Sequence, residues 1–226
     1  MARPMRFDAS DSGGRGSSSG HEDGESGEVT VHETPGADMG DMAQLQHLSE
    51  GIIDLDEFED LFRTFDHSAW RLESRRRFAS DEATDTYRQF VETGTVDWDR
   101  EDPYCELIRS QTTQGKRVER VRIVDQPPTT GQLYLLNNAK RNSGLGEDIR
   151  NLWRVDAERL RLPSEDFWLF DSRLVAKLRF DDEDHLMDVE LITESAEIAR
   201  YSAIRKAAWH HALPFQEFAV RLSDSE

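Results

Sequence analysis

The stretch from Glu165 to Ile192, EDFWLFDSRLVAKLRFDDEDHLMDVELI, constrains the fold more than any other, because its alternation reads as three successive strands joined by two polar turns. Phe167, Leu169 and Asp171 fall on one side of the first strand, with Trp168 and Phe170 on the other. Aromatic residues on both sides mark a strand built for burial. Leu174, Ala176, Leu178 and Phe180 then run at period two against Val175, Lys177 and Arg179, which gives the second strand one wetter face. After Asp181-Asp182-Glu183-Asp184, a third run sets Leu186, Asp188, Glu190 and Ile192 against Met187, Val189 and Leu191. The pattern predicts an antiparallel meander. Four consecutive acids also suggest a calcium loop, but the glycine and the distal glutamate of such a loop are missing, so a solvated hairpin turn is expected and no metal site.

Ahead of the meander the periodicity changes to helical. Asp56 can cap a helix whose Phe58, Leu61, Phe62 and Phe65 stand at i, i+3, i+4 and i+7, and a brief strand follows around Trp70 and Leu72. Ser80 opens a second helix that buries Tyr87, Phe90 and Val91 and stops at Gly94. Asp102-Pro103 starts a third, closed by Gly115 just before a strand from Val118 to Val124. On that strand Arg120 and Arg122 share a face with Val118 and Val124, opposite Val121 and Ile123. A helix over 129–142 ends at Gly144, and Glu147 to Val155 reads as another strand. Gly144-Leu145-Gly146 follows a helix and precedes a strand, the reverse of a dinucleotide fingerprint, so it reads as a helix C-cap. Behind the meander, Ser195 caps a helix through His211, and Pro214 begins a last one with Phe215, Phe218, Ala219 and Leu222 at helical spacing.

The expected fold is therefore α+β, a central and mostly antiparallel sheet containing the meander, with helices packed around it. Residues 1–50 are Gly, Ser, Asp and Glu with almost no large apolar side chain, too little to offset chain entropy, so a disordered acidic tail is expected there. Residues 51–226 are expected to form a single α/β domain. A formal net charge of −18 argues against a surface built to hold nucleic acid. No apolar run is long enough to cross a bilayer and no leader precedes a cleavage site, so the cytoplasm is the expected compartment. Cys105, the one cysteine, cannot form an internal disulfide and reads as a small core residue.

Chemical signatures are sparse. His21, His32 and His47 match no metal-ligand spacing, His210-His211 diverge on a helix with no third ligand, no G-x-S-x-G elbow is present, and no histidine is followed two residues later by lysine. No catalytic residue, cofactor or metal is expected. One basic constellation stands out: Arg120, Arg122, Arg150 and Arg154, with Lys140 and Arg141 near them in sequence and Trp153 as an aromatic wall, could bind a phosphate or an acidic partner. Glu147 and Asp148 would neutralise part of it, which leaves structural ion pairs as the plainer reading. Arg75-Arg76-Arg77 reads as a solvated loop.

The blocks RVRIVDQPPTTGQLY, GLGEDIRNLW, DFWLFDSRLVAKLRFDDE and IRKAAWHHALPFQEF, in this order from about Phe58 to Leu222, resemble an actinobacterial family of unknown function often encoded beside helix-turn-helix regulators. The final strand, helix and Ala-Leu-Pro-Phe segment is also similar to the end of the C-terminal sensing region of such regulators. The family context this resemblance implies, together with the acidic surface and the missing catalytic signatures, leads to the expectation of a non-enzymatic regulatory protein that binds a helix-turn-helix transcriptional regulator. A sensor of a small or phosphate-containing ligand is the alternative, with an enzyme or toxin acting on nucleic acid or phosphate esters third. Neither membrane association nor direct nucleic-acid binding is expected.

Overall fold

The computed structural model describes residues 50–98 and 102–223. All of the expected tail except Glu50, and with it His21, His32 and His47, lies outside the described residues. In chain order the elements are β1 (Gly51–Ile53), α1 (Leu55–Thr64), β2 (Ser68–Glu73), α2 (Ala79–Glu82), α3 (Asp85–Thr93), α4 (Pro103–Thr113), β3 (Arg117–Val124), α5 (Thr130–Gly144), β4 (Asp148–Trp153), α6 (Arg154–Arg159), β5 (Asp166–Phe170), β6 (Leu174–Phe180), β7 (Leu186–Ile192), α7 (Ser195–His211), β8 (Leu213–Pro214) and α8 (Phe215–Ser223).

The expected α+β class is correct. Eight strands form one mixed sheet in the order β1-β7-β6-β5-β2-β3-β4-β8, with β2, β3 and β4 mutually parallel and every other pairing antiparallel. The meander β5-β6-β7 pairs as its alternation predicts, Trp168 opposite Ala176 and Leu178 opposite Val189. Strand alternation then divides the core into two. On one face Trp168, Phe170, Leu174, Ala176 and Val189 pack under Phe58, Phe62 and Phe65 of the α1 region and Ile108 of α4. Phe62 meets Trp168 and Phe170 edge-on, with ring centroids 4.8 and 5.2 Å apart. On the other face Trp70, Leu72, Val121, Phe167 and Leu169 pack under Tyr201 and Ala208 of α7 and Ala157 of α6. Cys105 is buried, as expected of a small core residue.

Several boundaries differ from the sequence reading, each for a local reason. Asp54, not Asp56, caps α1, because Glu57 three residues on completes a reciprocal capping box with it. The helix expected from Ser80 is broken into α2 and α3, since the Thr84 hydroxyl accepts from Tyr87 N–H and starts a new cap; Gly94, at φ 72°, closes α3 as expected. Glu194 rather than Ser195 caps α7 through its carboxylate. β4 stops at Trp153, so Arg154 and Val155 open α6 instead of extending a strand.

Candidate functional site

The expected basic constellation is not assembled in one place. Parallel register sets Arg120 beside Ile149, Val121 beside Arg150 and Arg122 beside Asn151, so Arg150 projects from the face opposite Arg120 and Arg122. Trp153 lies against Phe218 of α8, ring centroids 4.4 Å apart. Arg154 ion-pairs with Asp125 and donates to the Ser74 carbonyl at 2.8 Å, at the end of the parallel strands. Arg141 pairs with Asp102 at 3.3 Å and stacks over Trp98 at 4.0 Å.

Arg120 and Arg122 are core groups rather than a sheet surface open to ligand. The β2–β3 register brings Glu73 beside Arg122 and Arg71 beside Arg120. Glu73, whose side chain is 1% exposed, accepts from Arg120 Nη1 at 2.7 Å and from Arg122 Nε at 3.1 Å. Glu147 accepts from Arg120 Nε at 2.7 Å, and Tyr104 Oη receives Arg120 Nη2 at 3.0 Å. Arg122 also donates to the Leu135 carbonyl, which ties α5 to the sheet. Asp166 accepts from Ser74 N–H and Oγ–H at 2.8 and 2.7 Å and faces Arg71 at 3.5 Å.

Electrostatics within this network are divided. Burial pushes the Glu73 carboxyl up, yet Arg122, Arg71 and Arg120 together outweigh it and hold it down at about 2. Burial dominates at Asp166, which is raised against the pull of Arg71, and at Tyr104, pushed up to about 12. Asp81 of α2 is the odd member: burial and then the charge of Glu73 push it from 3.8 up to about 6, against Arg122, Arg71 and Arg120. A carboxyl whose folded value is raised costs stability above that value, and the cost vanishes as pH falls through 3.8. Because Asp81 keeps partial solvent access, we expect Asp81→Asn to stabilise the fold by about 1–2 kcal/mol near pH 8 and by almost nothing near pH 4. Urea unfolding at the two pH values checks this.

The arginine triple and the acidic turn, both read as solvated, hold one another. Asp184 accepts from Arg75 Nε at 2.8 Å and from Arg77 Nε at 2.7 Å, while Arg76 pairs with Asp125 at 2.8 Å. Arg75 also lies over the Phe180 ring at 4.4 Å. In the same turn the ligand atoms of Asp181, Glu183 and His185 come within 4.8 Å of one another. Asp181 there accepts from the backbone N–H groups of Glu183 and His185, both at 2.9 Å, which is ordinary turn geometry.

One face of α7 is basic and aromatic and partly exposed. Ser202, Arg205, Lys206, Trp209 and His210 stand at i, i+3, i+4, i+7 and i+8 and, with Ser172 of the β5–β6 turn, line a cleft of about 400 Å³. Arg205 is braced by Glu119 of β3. Arg150 reaches this side of the sheet and lies over the Trp209 ring, 3.9 Å from its centroid. Its other neighbour is Asp148, at 3.4 Å. Lys206 is exposed and, among the described residues, forms neither hydrogen bond nor ion pair. His210 and His211 are exposed, their rings at right angles and 4.9 Å apart, so they present no shared ligand site. Of the expected site residues only Arg150 belongs to this face. In sequence, Arg205, Lys206 and Trp209 carry the one signal of this face, a helical stripe of cations around an indole that lies apart from the apolar period of α7.

Fold and site thus define a mixed-sheet α+β protein with an ionised core and a basic helix face. The chain belongs to the family described as Domain of unknown function (DUF6879), whose model matches residues 56–220. No curated protein matches the chain. Among solved structures it is similar to a phospholipase D family member, Nuc, from Salmonella typhimurium, at 9% identity over 69% of this chain and 86% of that one, with a TM-score of 0.42. It is also similar to NucT from Helicobacter pylori, at 10% identity over 74% and 97%, with a TM-score of 0.41. Likeness at that level carries no argument about chemistry. Among the described residues no helix is long and apolar enough to cross a membrane.

Proposed function

We propose that this protein is a non-enzymatic regulatory module that docks an acidic segment of a partner protein on the Arg205/Lys206/Trp209 face of α7. One contrast carries the reading: the buried arginines are committed to internal carboxylates and carbonyls, whereas Lys206 is exposed with no partner among the described residues. An exposed cation beside a partly buried indole suits an acidic peptide, because the ring supplies contact area and the charges supply register. A helix-turn-helix transcriptional regulator is the partner class that the family resemblance implies.

Tagged wild-type protein and Lys206→Glu are to be compared by affinity capture from the native host. We expect the wild type to recover a regulator and the variant to lose it. Repeated capture of no regulator by the wild type, or equal capture by both, would overturn the reading. A phosphate-bearing small ligand is the second reading, favoured by the Ser172 and Ser202 hydroxyls beside Arg205 and Lys206 and by a cleft volume within the range of small-molecule sites. Thermal stabilisation by a metabolite library, abolished by Lys206→Glu, would select it instead.

A further inference from the structure

We infer that residues 80–93, most of α2 and all of α3, form a flap that lifts off the ionised core when Asp81 loses its proton. This device is independent of the α7 face and uses none of its residues. Neither α2 nor α3 buries a residue, so the flap adds little apolar area to the core and little cost to its own opening. It meets the body of the protein through a Thr86–Tyr134 hydroxyl bond at 2.8 Å, edge-on contacts of Tyr87 and Phe90 with the Tyr134 ring, and an ion pair of Glu82 with Arg77 at 3.1 Å. Gly94, with its left-handed backbone, marks the far end.

Charge supplies the trigger. In the network beneath, three guanidinium groups, Arg71, Arg120 and Arg122, face three carboxylates, Glu73, Glu147 and Asp166. That set is already neutral. Asp81 brings a fourth carboxylate, and among the described residues its side chain accepts no hydrogen bond and forms no ion pair. The groups that face it are Glu73 and Arg71 of β2, Arg120 and Arg122 of β3, and Tyr87 of α3. Ionised in place, Asp81 is a surplus negative charge beside Glu73; on a lifted flap, water solvates it. Burial and then Glu73 raise it from 3.8 to about 6 in the closed form, so closure carries a penalty that is absent below pH 3.8 and complete above about 6. The closed form dominates throughout, and the lifted minority grows as pH rises between those values. Lifting wets the network from the Asp81 side.

Hydrogen–deuterium exchange of the full chain at pH 4 and pH 7, corrected for the intrinsic pH dependence of amide exchange, tests this. Residues 80–93 should be less protected than α5, through an opening insensitive to sub-denaturing urea, and their protection should fall by at least about tenfold from pH 4 to pH 7. Asp81→Asn should keep the pH 4 protection at both values. Asp85→Asn, at the exposed start of α3, should behave as the wild type. Protection equal to that of α5 with the same urea dependence would mean that the segment opens only with the whole fold, and would overturn the inference. A wild-type protection that does not change with pH, or one that falls equally in Asp81→Asn, would overturn it too.

Discussion

Replacing Glu73 by alanine is expected to destabilise the fold by about 3–5 kcal/mol, because it leaves Arg120 and Arg122 charged, buried and without their shared carboxylate. Few single substitutions here should cost more. The guanidinium groups cannot shed their protons to escape, and water cannot reach side chains that are only 7% and 4% exposed. The penalty comes from cations left short of a carboxylate more than from the pair itself, and Arg120 still keeps Glu147 at 2.7 Å, so changing Glu73, Arg120, Arg122 and Glu147 together to apolar residues of similar volume should recover most of the loss. Chemical denaturation of the single and quadruple variants separates these two contributions. The pH dependence has a defined sign. Glu73 is held at about 2 against an ordinary 4.5, so its stabilisation is fully present above pH 4.5 and is lost as pH falls toward 2. Glu73→Gln should flatten that part of the acid-unfolding profile.

Asp171→Ala is expected to cost about 2–4 kcal/mol, through the loss of charge-assisted bonds to backbone. Its carboxylate accepts from the N–H groups of Asp66, His67 and Ser68 at 2.8, 2.7 and 2.8 Å, and its own N–H returns a bond to the Ser68 carbonyl at 2.8 Å. One side chain therefore clasps the connection between α1 and β2 to the β5–β6 turn, a sequence separation of more than 100 residues. Asp171 also stands at φ 52°, a left-handed conformation that Asp and Asn accept more readily than Ala. Asp171→Asn, which keeps the conformation and one acceptor oxygen, should cost clearly less than Asp171→Ala. Amide exchange in β2 should speed up in both variants, and wild-type stability in both would show that the clasp contributes nothing.

The meander was legible because alternation is a local property, and each of the three runs between Phe167 and Ile192 carries it. The start of α4 was legible for the same reason, Asp102-Pro103 being a local signal. The ionised core was not. Arg120 and Arg122 were placed on one strand face from β3 alone, but their partner Glu73 lies 47 and 49 residues away, and only the β2–β3 register brings it alongside. Arg150 failed in the same way, since its face depends on how β4 pairs with β3. A one-residue difference in register exchanges the two faces of a strand, and no local pattern in 148–153 fixes that choice. α6 escaped notice because a single turn with one buried residue, Ala157, leaves too short a period to read. Charge that resembles a binding site in sequence can thus be core, while the exposed stripe on α7 passes as an ordinary solvated helix face.

The division between an ionised core that holds the fold and a basic helix face that recognises a partner meets its most direct test in one ratio. Regulator capture is measured for Lys206→Glu and for Glu73→Gln, both brought to the same folded fraction by circular dichroism at low temperature. Capture should be lost with Lys206→Glu and retained with Glu73→Gln. Retention with the first and loss with the second would place recognition in the buried network and contradict the account.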